Sequence, residues 1–104
     1  MVSVHFITLS RSDYATLGPV ACAAMKDPAI DAKVVAGGSH LLARYGKTIE
    51  QLSKDGLSTF AVADFLHEDD DSDAQLAAAY GRAVAGFVRI FSADTPDYVF
   101  IVGD

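Results

Sequence analysis

The sequence predicts an α/β fold, a parallel doubly wound half-sheet with the element order β-α-β-α-β-α-β. Three observations point there. Four short apolar runs carry β-branched or aromatic residues and are too brief for buried helices. The segments between them repeat apolar residues at helical spacing. The two kinds alternate, a pattern that buries parallel strands between helices on both faces. Right-handed crossovers then favour the strand order 3-2-1-4.

The first run holds Val2, Val4, Phe6, Ile7 and Leu9 and reads as a buried strand. The polar break Ser10-Arg11-Ser12-Asp13 follows, with Ser12 or Asp13 suited to cap the next helix. That helix is expected from about Tyr14 to Lys26, with an apolar stripe of Leu17, Val20, Ala21, Ala24 and Met25. Pro19 inside it predicts a kink or a late start. A second strand covers Ala32 to Ala36 and ends at Gly37-Gly38, where backbone can turn sharply or approach a ligand closely. Thr48 with Gln51 three residues on has the pattern of a capping box for a short helix ending near Lys54. Leu57 to Val62 reads as the third strand.

A long helix is expected from about Ser72 to Phe91. Leu76, Tyr80, Ala83, Val84, Phe87, Ile90 and Phe91 would form its buried face, with Arg82 and Arg89 pointing elsewhere. The fourth strand, Tyr98 to Val102, is almost wholly apolar and demands cover on two faces, yet no helix follows it. It reads as an incomplete unit.

Composition narrows the function. The chain has 104 residues, of which 51% are hydrophobic, enough to build a core. Eight Lys and Arg against 14 Asp and Glu give a net charge of −6, which argues against coating nucleic-acid phosphates. Much of that charge is one run, Glu68 to Asp71 with Asp73, expected to be a solvated loop feeding a helix N-terminus. Asp69, Asp71 and Asp73 imitate the start of a calcium loop. Ala74 replaces its glycine, however, and Tyr80 stands at its glutamate, so no metal site is expected. The single Cys22 cannot form an internal disulfide and is expected to pack. No run approaches a membrane span, and Met1 to Leu9 lacks the features of a signal peptide. A soluble cytoplasmic protein is expected.

In open parallel sheets, ligands bind beyond the carboxyl ends of strands where the order reverses. Here that edge gathers Ser10 to Asp13 after the first strand, Gly37 to His40 after the second and Gly103-Asp104 after the fourth. Arg11, Ser12, Asp13 and Gly38 are candidate substrate contacts, with His40 and Asp104 as candidate proton-transfer groups. Plainer readings stand beside these. Arg11 is a surface charge, Asp13 only a cap, His40 a solvated loop residue and Asp104 a polar chain end.

The motifs Ser10-Arg11-Ser12-Asp13-Tyr14, Gly38-Ser39-His40-Leu41, Tyr45-Gly46-x-Thr48 and Asp97-x-x-x-x-Val102-Gly103-Asp104 occur in one order along the chain. Together with Pro19 and their spacing, they resemble hydrolysing UDP-N-acetylglucosamine 2-epimerases of the sialic-acid pathway. Ser10 stands where that family usually has threonine. The resemblance implies two Rossmann-like domains in the GT-B arrangement, usually as a homodimer, with this chain as the first part of the N-terminal domain. It implies conversion of UDP-GlcNAc and water to ManNAc and UDP, without metal or organic cofactor. UDP would leave by elimination across C1–C2, and the resulting glycal would be hydrated with inversion at C2. Asp104 would be the catalytic acid/base and Arg11 would attend the UDP end. His40 would lie at the active-site rim. Further catalytic carboxylates, a second histidine and the uridine-binding domain would lie beyond Asp104, so this segment alone is expected to be inactive. Rival readings are an epimerase for a related UDP-diacetamido sugar and a non-catalytic nucleotide-sugar or anion-binding module. A third is a fragment that self-associates through its fourth strand.

Overall fold

The computed structural model describes residues 1–42, 46 and 48–103. The chain runs β1 (Val2–Thr8), α1 (Arg11–Met25), β2 (Ile30–Gly37), a 3-10 turn (Gly38–Leu41), α2 (Ile49–Lys54), β3 (Thr59–Ala63), α3 (Asp73–Ala93) and β4 (Tyr98–Phe100). All three strand pairings are parallel and the order is β3-β2-β1-β4, as the crossover argument requires. β1 and β2 pair in register from Val2 with Ile30 to Thr8 with Ala36, so side chains of like parity share a face.

On one face, Phe6, Val34 and Ala36 meet Leu17 and Ala21 of α1, Leu52 of α2 and Leu57. On the other, Ile7, Val35 and Ala63 meet Phe87, Ile90 and Phe91 of α3. Burial on both faces holds for the carboxyl halves of β1 and β2. It fails for β4, whose three residues are all exposed. β3 begins at Thr59 rather than Leu57, which is buried in the loop before it.

The first helix starts three residues earlier than its apolar pattern predicts. Ser10, not Ser12 or Asp13, is the N-cap, and its hydroxyl accepts the Asp13 N–H at 3.2 Å. Asp13 instead reaches back to accept the Leu9 N–H at 3.3 Å. These two bonds satisfy one donor inside the helix and one before it. The helix continues through Pro19, which removes the bond to the carbonyl of Ala15. Both residues line an open hollow of about 330 Å³ beside Tyr14 and Asp55, where water can reach. The buried stripe is narrower than expected: Leu17, Gly18 and Ala21 are covered, while Val20 and Met25 are exposed. Cys22 is half-buried against the first core cluster, as a packing residue would be.

α3 carries a complete capping box, with Ser72 accepting from the Gln75 N–H and the Gln75 side chain accepting from the Ser72 N–H. Ala79 is its buried residue, and Phe87, Ile90 and Phe91 pack on the sheet. Leu76, Tyr80 and Val84 are exposed, contrary to the predicted face. Tyr80, Val84 and Val88 form a second apolar row at helical spacing. It borders a groove of about 580 Å³ floored by Ile7 and Leu9 and closed by Val99 and Ile101.

The acidic run is not wholly solvated. Asp70 is buried, accepting the His67 N–H at 2.9 Å and the Arg82 Nη2–H at 2.6 Å. Arg82 also donates to the Phe65 carbonyl at 2.9 Å, so it ties this loop to α3 rather than pointing away. The His67 N–H, with help from the Arg82 guanidinium, holds the Asp70 carboxyl below its usual 3.8. Its stabilising contribution is therefore present above pH 3.8 and lost as pH falls through the lower folded-state value. Asp70→Asn should lower Tm at neutral pH, and the gap to wild type should close as melts are taken below pH 3.8. A gap that stayed constant across that range would refute this role of the carboxylate.

Candidate active site

The carboxyl ends of the three neighbouring strands β3, β2 and β1 are drawn together by two consecutive glycines. A Cβ on Gly37 would lie 2.2 Å from the Ala63 carbonyl at the end of β3. A Cβ on Gly38 would lie 2.7 Å from the Leu9 carbonyl just past β1. Gly38 also has φ +57°, a conformation that disfavours any side chain. The same Leu9 carbonyl accepts the Ser39 N–H at 2.9 Å and the Ser39 hydroxyl at 3.1 Å. Leu9, whose N–H is held by Asp13, thus joins the α1 cap to the turn after β2.

That turn delivers His40 into the interior. Its exposure is 0%, so it is not a solvated loop histidine. Nε2 lies 2.8 Å from Thr8 Oγ1, and Nδ1 lies 2.7 Å from Thr48 Oγ1. Tyr14 meets the ring edge-on at 6.3 Å between centroids. Burial pushes the imidazole below its usual 6.5, against the Asp13 carboxylate, which pulls it upward. At neutral pH the ring is uncharged, with one nitrogen donating and the other accepting.

Thr48 does not cap α2 as its spacing with Gln51 suggests. It has helical dihedrals and makes no side-chain cap bond, because its hydroxyl is committed to His40. Thr48 also lines a cleft of about 190 Å³ with Arg11, Tyr14, Glu50, Gln51 and Lys54. Arg11 is the exposed first residue of α1, so a guanidinium and a helix N-terminus share the rim of this cleft. Ser12 is exposed, its hydroxyl 3.0 Å from that of Ser10. Tyr14 donates its phenol to Asp55 at 2.5 Å; burial and this carboxylate push the phenol upward.

Arg11, Ser12, Asp13, Gly38 and His40 therefore share one edge of the sheet. Asp104 lies outside the described residues. β4 runs parallel to β1 with Phe100 opposite Phe6. Thr8 and Thr48 are site residues that the sequence pattern does not single out. Thr8 had a detectable signal: it continues the inward row of Val4 and Phe6 with a polar group, which needs a buried partner. Among the described residues, no cluster of three or more His, Cys, Asp or Glu could hold a metal ion. No described helix is long and apolar enough to cross a membrane.

Comparison with known proteins adds to this geometry. A hydrolysing UDP-N,N′-diacetylbacillosamine 2-epimerase of Legionella pneumophila is 29% identical over 103 residues, covering 97% of this chain and 26% of that protein. A solved UDP-N-acetylglucosamine 2-epimerase superposes with a TM-score of 0.74 at 18% identity, over 94% of this chain and 25% of the other. The UDP-GlcNAc 2-epimerase of Neisseria meningitidis, solved bound to UDP-GlcNAc, gives 0.73 at 17% identity, over 93% and 24%. The chain spans about a quarter of the length of these relatives. The family model for UDP-N-acetylglucosamine 2-epimerase matches residues 23–104, and the chain belongs to that family.

Proposed function

We propose that these 104 residues are the N-terminal segment of a hydrolysing UDP-N-acetylglucosamine 2-epimerase, a cytoplasmic homodimeric enzyme of GT-B architecture that feeds sialic-acid synthesis. One observation carries the reading within this family: Arg11 and the start of α1 border a cleft at the carboxyl edge of the sheet, where a nucleotide diphosphate would be met. The segmental reading is supported by the length of the relatives and by the apolar groove beside β4. Right-handed crossovers put a helix following β4 on the α3 side of the sheet, where that groove lies.

In the proposed reaction a base removes the C2 proton of UDP-GlcNAc while the C1–O bond to UDP breaks. The glycal then takes hydroxide at C1 and a proton at C2 from the opposite face, giving ManNAc. Asp104 is the proposed acid/base. Arg11 stabilises negative charge gathering on the departing diphosphate, with Ser12, Asp13 and Gly38 shaping that end. His40 has both nitrogens engaged by threonine hydroxyls and acts through Thr48, which borders the cleft. A second substrate, a UDP-diacetamido sugar, is favoured by what the Legionella relative is named for.

The test is turnover of both sugars by the full-length protein in D2O, where elimination and rehydration would leave deuterium at C2 of the product. Product without C2 deuterium would exclude this route. Asp104→Asn should cut turnover by about 10²- to 10⁴-fold while UDP binding persists; unchanged turnover would remove the assignment. Arg11→Ala should weaken UDP binding by roughly 10- to 100-fold in calorimetry, the scale of a charge-assisted hydrogen bond. Equal affinity in that variant would refute its role. The 104-residue segment alone should not turn over either sugar.

A further inference from the structure

The chain Thr8–His40–Thr48 joins three parts of the fold: the end of β1, the turn after β2 and the start of α2. Its centre is fully buried, and Thr48 at its outer end lines the cleft with Arg11. Both threonine contacts are open in direction, and the neighbouring carbonyl favours one of the two. The Thr8 hydroxyl has a carbonyl acceptor in Ser10 at 3.4 Å, so it can receive a proton from Nε2 and pass its own onward. A ring protonated at Nε2 leaves Nδ1 as an acceptor, and Thr48 must then donate.

From this geometry we infer that Thr48 is a positioning residue for His40. Its hydroxyl donates to Nδ1, holds the ring as a single neutral tautomer and fixes the cleft wall to the strand ends. The inference rests on the functional reading of the cleft and deepens it, by naming what the Thr48 hydroxyl does for His40. The Thr48 γ-methyl alone cannot do this work, which separates the role from packing. Serine keeps the donor, whereas valine keeps the shape and loses it.

The experiment uses full-length protein labelled with 15N-histidine, with the His40 signals assigned by comparison with His40→Gln. Wild type should show His40 as the Nε2–H tautomer. Thr48→Val should mix the tautomers and lower kcat by about tenfold, with KM changing less. Thr48→Ser should restore both. Wild-type His40 protonated at Nδ1, an unmixed tautomer in Thr48→Val, or failure of serine to rescue would overturn the inference. Should the valine variant not fold, the wild-type tautomer and its retention in Thr48→Ser still decide it. Wild type that turns over neither sugar would sink the functional reading alone, because the tautomer is read without substrate.

Discussion

Two backbone contacts at the carboxyl edge of the sheet control where its polar groups can stand. Gly37 lies against the Ala63 carbonyl and Gly38 against the Leu9 carbonyl, at separations that exclude a β-carbon. The first closes the end of β2 on β3, and the second closes it on β1. A residue with a side chain at Gly38 would also be strained by its positive φ. Either change would push the following turn outward and withdraw His40 from between Thr8 and Thr48. The site is therefore set first by sterics, and its hydrogen bonds form within the space that results.

The opposite end of the sheet is held by charge and aromatic packing. His5 on β1 is buried between Phe60 and Phe91, with Nε2 2.7 Å from the Asp94 carboxylate at the end of α3. Lys33 on β2 reaches the same carboxylate at 2.9 Å and sits over the Phe60 ring. Bonds to His5 and then Lys33 hold the Asp94 carboxyl below its usual range. Asp97 completes the anchoring, accepting the Ser3 N–H with its side chain and donating its own N–H to the Ser3 carbonyl. α3 and the entry to β4 are thus fixed at one end, while the row of Tyr80, Val84 and Val88 remains uncovered along the groove.

The topology was legible in the sequence because it follows from alternation and handedness, which need no long-range partner. Gly37-Gly38 was legible in kind, as a place where backbone could approach closely, but not in its partners, which lie on β1 and β3. The start of α1 was misplaced because Ser10, Ser12 and Asp13 all suit a cap. The choice falls to Ser10 because Asp13, three residues on, can then also satisfy the Leu9 N–H. Asp70 escaped notice for a different reason. A charge run reads as solvated, and its pairing with Arg82 depends on how the loop folds back onto α3. The faces of α1 and α3 were drawn too wide, since periodicity marks which residues are apolar and not how much of a helix the sheet can cover.

Charge at the candidate site is kept to its surface. The buried centre, Thr8–His40–Thr48, is held neutral, so the fold is spared the desolvation of an ion in its interior. Arg11 and Lys54 stand at the cleft rim with one carboxylate, Glu50, where water solvates all three. A protonated His40 would place a cation under that rim, but it would need both nitrogens to donate. Thr8 would then have to accept, as it already can, and Thr48 would have to turn its own proton away. The two threonines can serve either state of the ring, but burial selects the uncharged one. In the proposed function, recognition of charge is left to side chains at the surface, and the interior supplies shape and the direction of a hydroxyl.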